Sequence, residues 1–452
     1  MPWVESRGNS VRVKWDTGRV DPETGKKIYD GKSSTKWTED EAFDYGLDRE
    51  SDVRNDRYIS RRDGSLLMKD YCRDWPDTLD VGHLRERNVR SHLRLYVIPR
   101  WADVAVGDIK PSMYRAWEKW LRAQPHIGDR YAGEILGTFS MLMDDAVEDE
   151  LRKVSPVPKK RKRGRYVKKK REKKREMAIA DVHQLALNAL VYWGFAGYVF
   201  VLTMAYTGMR PAELYALRRE YCHPAWPMSD PDEEQREESV ERYTRRGMPA
   251  IRVEYQHQWK DSQLTLLPPK YESRRALVIP PFLAELLDML LASHNSEWVF
   301  VSISGSELAK ANFTYQYWRR IADGQTASVP RRQGGGRGGC WRPLPGWSGV
   351  KGWIGKRLYL LRHGHKEWLD EDGHSRIAAE SRMGHEVAGV EGLYANVTVA
   401  MEKRIMDSLQ ERWEGLMRTL GDDFTLPSPI SLPVDLDGWI KSQVRAAVGK
   451  GT

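Results

Sequence analysis

Cysteine is scarce in this chain. Its three residues, Cys72, Cys222 and Cys340, are too few and too far apart for a disulfide framework, and none has the CxxC or Cys/His spacing of a zinc site. A reducing, intracellular, cytoplasmic setting is the expectation. The sequence contains no GxxxxGK[ST] loop, which argues against a P-loop nucleotide site, and it shows no cluster of metal-ligand residues. The opening stretch MPWVESRGNS has no apolar core of the kind a secretory signal needs. Long apolar runs are confined to one place: no charged residue occurs between Gln184 and Met209, a length that could cross a bilayer. Asn188, the glycines and the immediate run into Arg210 and Glu213 fit a pair of buried helices better, so no membrane partner is expected.

Positive charge is what the chain has in excess. A formal net charge of +9 and a pI of about 9.2 point to a polyanionic partner, with nucleic acid first. In KKRKRGRYVKKKREKKRE, residues 159–176, thirteen of eighteen residues are Lys or Arg and two are acidic, so this segment alone carries more positive charge than the whole chain nets. Like charges repel, so the segment reads as an extended linker between two periodic regions unless a counter-polyanion screens it. It is either a solvated or nuclear-localisation-like tether, or a strap along DNA phosphates whose binding weakens with salt. In the second case Lys159, Lys160, Arg161, Lys162, Arg163, Arg165, Lys168, Lys169 and Lys170 are DNA-binding residues.

A chain of 452 residues exceeds one ordinary core, and its 40% hydrophobic content can fill two or three. Residues 1–60 read as a small β-rich domain: VRVKW alternates, and Thr38 with Glu41 forms a capping box before a helix. Residues 64–155 are helical in pattern. There Trp117, Trp120 and Leu121, and then Ile135, Phe139, Leu142 and Ala146, mark apolar faces expected in a core. A basic linker, 156–176, follows. The largest unit, 177–420, begins with helices over 178–206 and 211–219 and a polar insertion over 222–248. Three β-like runs at 250–256, 263–269 and 274–280, separated by turn residues, predict an antiparallel three-stranded meander. A helix at 282–293 and a second, Gly/Pro-rich insertion at 331–347 come next, with a tail over 421–452. The fold class is thus mainly α with a small antiparallel β-meander, α+β and multidomain.

In AYTGMRPAELYAL, residues 205–217, Arg210 stands between a glycine turn and a proline suited to the first helical position. A helix N-terminus already attracts anions, and a forked guanidinium there makes a phosphate clamp; pairing with Glu213 at the surface is the bland alternative. LYLLRHGHKEWL, 358–369, adds Tyr359, Arg362 and His363, and a second arginine on a leucine-flanked helix implies an anion beside it. SRMGHEVAGVEGLYANV, 381–397, ends a helix at Gly384, displays His385 and places Tyr394 nine residues on.

These segments resemble the tyrosine recombinases of phages and integrative elements. TGMRPAEL is similar to the first arginine box of that family, YLLRH to its His-x-x-Arg box, and MGHEVAGVEGLYANV to its Gly-His box and nucleophilic tyrosine. PPKYESRRALVIP resembles the β-hairpin that carries its lysine, while LYVIPRW and FSMLMDDAVEDELRKVSP resemble its core-binding domain and residues 1–60, more weakly, its arm-site domain. The resemblance implies a C-shaped DNA clamp and a site-specific recombinase working through a 3′-phosphotyrosyl intermediate, with no metal, ATP or other cofactor. Its implied partners are double-stranded DNA attachment sites, three further copies in a homotetramer, and an accessory DNA-bending or directionality factor. Carried over residue by residue, it implies Tyr394 as nucleophile, Arg210 and Arg362 as phosphate clamps, Lys270 as general acid and His385 as a further hydrogen bonder. Tyr359 departs from the pattern, since the family usually has histidine there and a phenol with a pKa of about 10 is a poor base. Two alternatives stay open: a type IB topoisomerase-like relaxation, and a DNA-binding regulator that keeps the fold without cutting.

Overall fold

The computed structural model describes residues 1–22, 24–55, 58–60, 64–158, 176–222, 242–243, 246–260, 263–309, 313–327, 345–385, 397–421, 423–427 and 432–449. The chain divides into two compact units, Met1–Lys170 and Arg171–Thr452.

In the first unit, strands β1 (Trp3–Arg7), β2 (Ser10–Val20) and β3 (Lys27–Ser34) form an antiparallel sheet in chain order. Val13 and Trp15 alternate onto one face and pack with Ala42 of helix α1 (Glu39–Arg54). The expected capping box starts that helix: the Glu41 amide donates to Thr38 Oγ1 at 3.2 Å and the Thr38 amide to Glu41 Oε2 at 2.9 Å. A helical part follows, with α2 (Met68–Asp74), α3 (His83–His92), α4 (Pro111–Arg122) and α5 (Asp129–Glu148). Trp101, Trp117 and Phe139 lie at the centre of its core, with Ile135, Leu142 and Ala146. Trp120 does not join them and is 53% exposed. On α4 the buried stripe is Tyr114, Trp117 and Leu121. At about 100° per residue, Trp120 falls roughly 60° beyond Trp117, off the edge of that stripe.

The second unit is built around α6 (Ile179–Trp193) and α7 (Phe195–Thr207), broken at Gly194 with φ 89°. Every α7 residue but Ala196 is buried, which accounts for the long uncharged run in the sequence. At Gly197 a Cβ would come within 2.7 Å of the Ala189 carbonyl, so the glycine lets the two helices approach. No helix among the described residues is long and apolar enough to cross a membrane.

Short α8 (Pro211–Tyr215) leads to the strands β4 (Ala250–Val253), β5 (Gln256–Lys260), β6 (Gln263–Leu267) and β7 (Arg275–Val278). They are antiparallel as expected but do not make one meander: β4 pairs with β7 and β5 with β6, in two separate ribbons. The run read as one strand over 250–256 breaks at Glu254 and Tyr255, and this lets β5 leave β4 for β6. Helix α9 (Pro281–Ala292) follows, and α10 (Leu360–Glu371) and α11 (Arg376–Met383) carry the later motifs. Helix α12 (Val399–Leu420) packs with α13 (Leu436–Gly449), whose Leu436, Ile440, Val444 and Ala447 are buried in the main core. The stretch read as a tail therefore contributes to the core of this unit. Cys72 and Cys222 are buried free thiols, and Cys340 lies outside the described residues with most of both insertions.

Candidate active site

Gly208 ends α7 in the left-handed conformation, φ 64°, and turns the chain so that Arg210 caps α8 from its N-terminal side. The pairing of Arg210 with Glu213 exists, but it is not at the surface, since the Glu213 side chain is wholly buried. Arg210 Nη1 donates to Glu213 Oε1 at 2.7 Å and to Ser273 Oγ at 3.1 Å, and Nη2 donates to the Gly384 carbonyl at 3.0 Å. The opposite side of the carboxylate receives Arg275 of β7, Nη2 to Oε2 at 2.8 Å. Burial would raise the Glu213 carboxyl, but the charge and hydrogen bonds of Arg275 and Arg210 outweigh it and hold the group below the usual carboxylate range. One buried carboxylate therefore aligns two guanidiniums from segments far apart in the chain.

Arg362 of α10 is 1% exposed, and it is not buried against an anion. Its Nη1 donates to the Gly208 carbonyl at 2.5 Å, and Nη2 donates to the Met383 carbonyl and lies 3.0 Å from His385 Nε2. The expectation that a buried arginine here requires an anion is corrected: backbone carbonyls at two helix ends satisfy it. Burial, and then the neighbouring charge of Arg210, pull the Arg362 pKa down to about 10. Beneath it Arg382 is also buried, donating to His365 Nε2 at 2.9 Å and to the carbonyls of Val278 and Tyr206. Burial brings its pKa down to about 9. His365, its Nδ1 on the Ala205 carbonyl at 2.9 Å, is pushed well below its ordinary pKa by burial and by Arg382, and is neutral. Positive charge thus outweighs negative around Gly208 and Gly384, and carbonyls and imidazoles supply most of the acceptors. Such a site favours an incoming anion.

Lys270 stands not in a hairpin turn but in the single 3₁₀ turn Lys270–Glu272 between β6 and β7. Ser273 Oγ, which accepts from Arg210, donates to the Lys270 carbonyl at 2.9 Å, so the lysine's backbone is tied directly to the first arginine. Tyr271 and Glu272 both have positive φ, 63° and 52°, a conformation that costs about 1–2 kcal/mol per non-glycine residue. Tyr359 precedes α10 and is 39% exposed, whereas Arg362 three residues on is buried. Its ring packs edge-on against His363 at 5.1 Å. The structure thus brings together Arg210, Arg362, His385 and the backbone of Lys270. Tyr394 and the basic residues from Lys159 to Lys170 lie outside the described residues.

Sequence reading missed Arg275, Glu380, His365, Arg382 and Ser273. Ser273 and Arg275 were visible inside PPKYESRRALVIP but had no reason to be preferred over their polar neighbours. Glu380 and Arg382 look like ordinary surface positions of α11, but the fold buries Arg382 and partly covers Glu380 beneath His385.

A mainly helical unit with small antiparallel ribbons, in which two arginines and a histidine are gathered where helices end, is the class of protein these features define. No family model matches the chain. A curated relative is the integrase of Mycobacterium phage L5, 22% identical over 209 residues that make up 44% of this chain and 52% of the relative. The chain therefore spans about half the length of the curated relative it matches. Among solved structures it is similar to the Tn1549 transposon integrase in complex with transposon right end DNA, at 14% identity and a TM-score of 0.49, covering 76% of this chain and 99% of that one. It is also similar to a lambda integrase tetramer bound to a Holliday junction, at 12% identity and a TM-score of 0.47, covering 88% and 98%. The tyrosine-recombinase resemblance carried by the sequence motifs thus has its counterpart in a curated phage integrase.

Proposed function

We propose that the protein is a site-specific DNA recombinase that integrates or excises a phage or mobile element. Tyr394 attacks a phosphodiester, giving a 3′-phosphotyrosyl bond and a free 5′ hydroxyl. Arg210 and Arg362 meet the charge that gathers on the non-bridging oxygens, and Lys270 protonates the leaving oxygen. The bond energy is kept in the phosphotyrosyl link, so the reaction needs neither nucleotide hydrolysis nor a metal. The basic tract from residue 159 to 176 runs along phosphates, and four copies assemble across two duplex sites, with an accessory bending or directionality factor.

The observation that carries this reading is the convergence of Arg210, Arg362, His385 and the Lys270 backbone on Gly208, Ser273 and Gly384. Such a layout, with guanidiniums held mostly by neutral carbonyls and few carboxylates, suits a phosphate better than a structural role alone. The curated relative's name supports it.

Incubation with a randomised duplex library, followed by denaturing capture of protein-linked DNA, tests it. Sequence-selective capture, absent in Tyr394→Phe, is the expected result. Binding without capture would favour the non-cleaving regulator, to which Tyr359 lends its one supporting feature. Supercoil relaxation without strand exchange would favour the topoisomerase-like reading.

A further inference from the structure

We infer that Glu380 makes His385 the proton acceptor of this site: the carboxylate holds the imidazole with its hydrogen on Nδ1 and its lone pair on Nε2. This deepens the strand-transfer reading and rests on it. It answers the difficulty posed by Tyr359, a phenol where the resemblance leads one to expect a histidine.

The tautomer follows from two contacts. A guanidinium has only donors, so across the 3.0 Å between Arg362 Nη2 and His385 Nε2 the imidazole nitrogen accepts. The hydrogen therefore sits on Nδ1, which donates to Glu380 Oε2 at 2.8 Å. Gly384, φ 64°, makes this possible by turning the chain at the end of α11, so that His385 folds back over the helix and its amide donates to the Glu380 carbonyl at 3.0 Å. Glu380 is itself steadied by Lys366 of α10, Nζ to Oε1 at 3.3 Å. Although partial burial opposes it, the hydrogen bonds from His385 and Lys366 keep this carboxyl ionised below its usual range. The His385 side chain is 44% exposed and so within reach of substrate, whereas His365, fixed by a similar pair of contacts, is sealed in the core.

In the free protein the Nε2 lone pair is taken by Arg362. A phosphate that draws the Arg362 donors releases it. The attacking tyrosine then loses its O–H proton to Nε2 as its oxygen bonds to phosphorus. The bond from phosphorus to the 5′ oxygen breaks, and that oxygen takes a proton from Lys270. The imidazolium, stabilised by Glu380, returns its proton when the 5′ hydroxyl attacks in the reverse direction.

Glu380 is thus a positioning residue, and the test separates it from a structural one. Covalent adduct formation is followed on the captured duplex, with either oxygen or sulfur bridging to the 5′ carbon at the scissile phosphate. A thiolate departs without a proton, so the sulfur substrate removes the acid step. Glu380→Gln is expected to slow adduct formation about 10²-fold on both substrates and to move the acidic limb of the pH–rate profile to lower pH, while Glu380→Asp recovers part of the rate. Lys270→Ala, in contrast, is restored by sulfur. Adduct formation by Glu380→Gln at the wild-type rate, a slower rate with an unmoved pH profile, or rescue by sulfur would each overturn the assignment while leaving the strand-transfer reading intact. Absence of any wild-type adduct would remove both.

Discussion

Replacing Glu213 by glutamine probes the centre of the site with almost no change in shape. In the wild type, Oε1 accepts from Arg210 Nη1 at 2.7 Å and Arg275 Nη1 at 3.3 Å, and Oε2 accepts from the Arg210 amide and Arg275 Nη2, each at 2.8 Å. Glutamine keeps one carbonyl and presents an NH₂ group where the other oxygen stood, so one pair of donors faces another. Losing two hydrogen bonds to a charged group, at about 1.5–3 kcal/mol each, gives about 3–6 kcal/mol. The cost of removing one partner from a buried ion pair, about 3–5 kcal/mol, agrees. For a unit of this size each kcal/mol moves the midpoint by about 2–4 °C, so thermal unfolding of the second unit should drop by about 10 °C. The pH dependence has a defined sign. Because the folded carboxyl is held below its usual range, the gap between wild type and variant is full above the ordinary carboxyl pKa of about 4.3. It closes as pH falls through the lower folded value, where Glu213 itself becomes neutral. A loss under about 1 kcal/mol at pH 7, or a gap that stays constant down to acid pH, would refute the claim that this carboxylate organises the two arginines.

Other outcomes follow from the same geometry. Gly208→Ala should destabilise the second unit by at least about 2 kcal/mol in urea, since φ is 64° and a Cβ would come within 2.5 Å of the His365 ring. Arg362→Ala should slow strand cleavage about 10²–10³-fold, measured by single-turnover adduct formation, with a much smaller change in DNA binding by gel shift. Changing Lys159, Lys160, Arg161, Lys162 and Arg163 together to glutamine should flatten the plot of log affinity against log salt by up to about 4.5. An unchanged slope would mean the tract does not lie on phosphates.

Periodicity and capping carried far in this chain. The capping box at Thr38, the buried helix pair over 178–206 and the helix stop at Gly384 are local effects, decided by a few neighbouring residues, and they read directly from the sequence. Trp120 and the strands over 250–278 did not. Whether an aromatic at the edge of an apolar stripe is covered, and which strand β5 leaves β4 to join, depend on packing partners distant in the chain. The site divides in the same way. Arg210, Arg362 and His385 sit in recognisable motifs, and the structure gathers them. Glu213 was visible as a possible partner of Arg210, but its service to Arg275 sixty-two residues away was not. Arg362 shows the limit of rules of thumb: carbonyls freed at the ends of α7 and α11 replaced the anion that burial of a guanidinium otherwise demands.

The central claim is that a phenolic oxygen of this chain becomes joined to DNA phosphorus. Protease digestion of the captured protein–DNA adduct, followed by mass spectrometry of the nucleotide-bearing peptide, measures this most directly. The account predicts a single modified residue, Tyr394, linked to a 3′ phosphate. A linkage to any other residue, or to a 5′ phosphate, would contradict it.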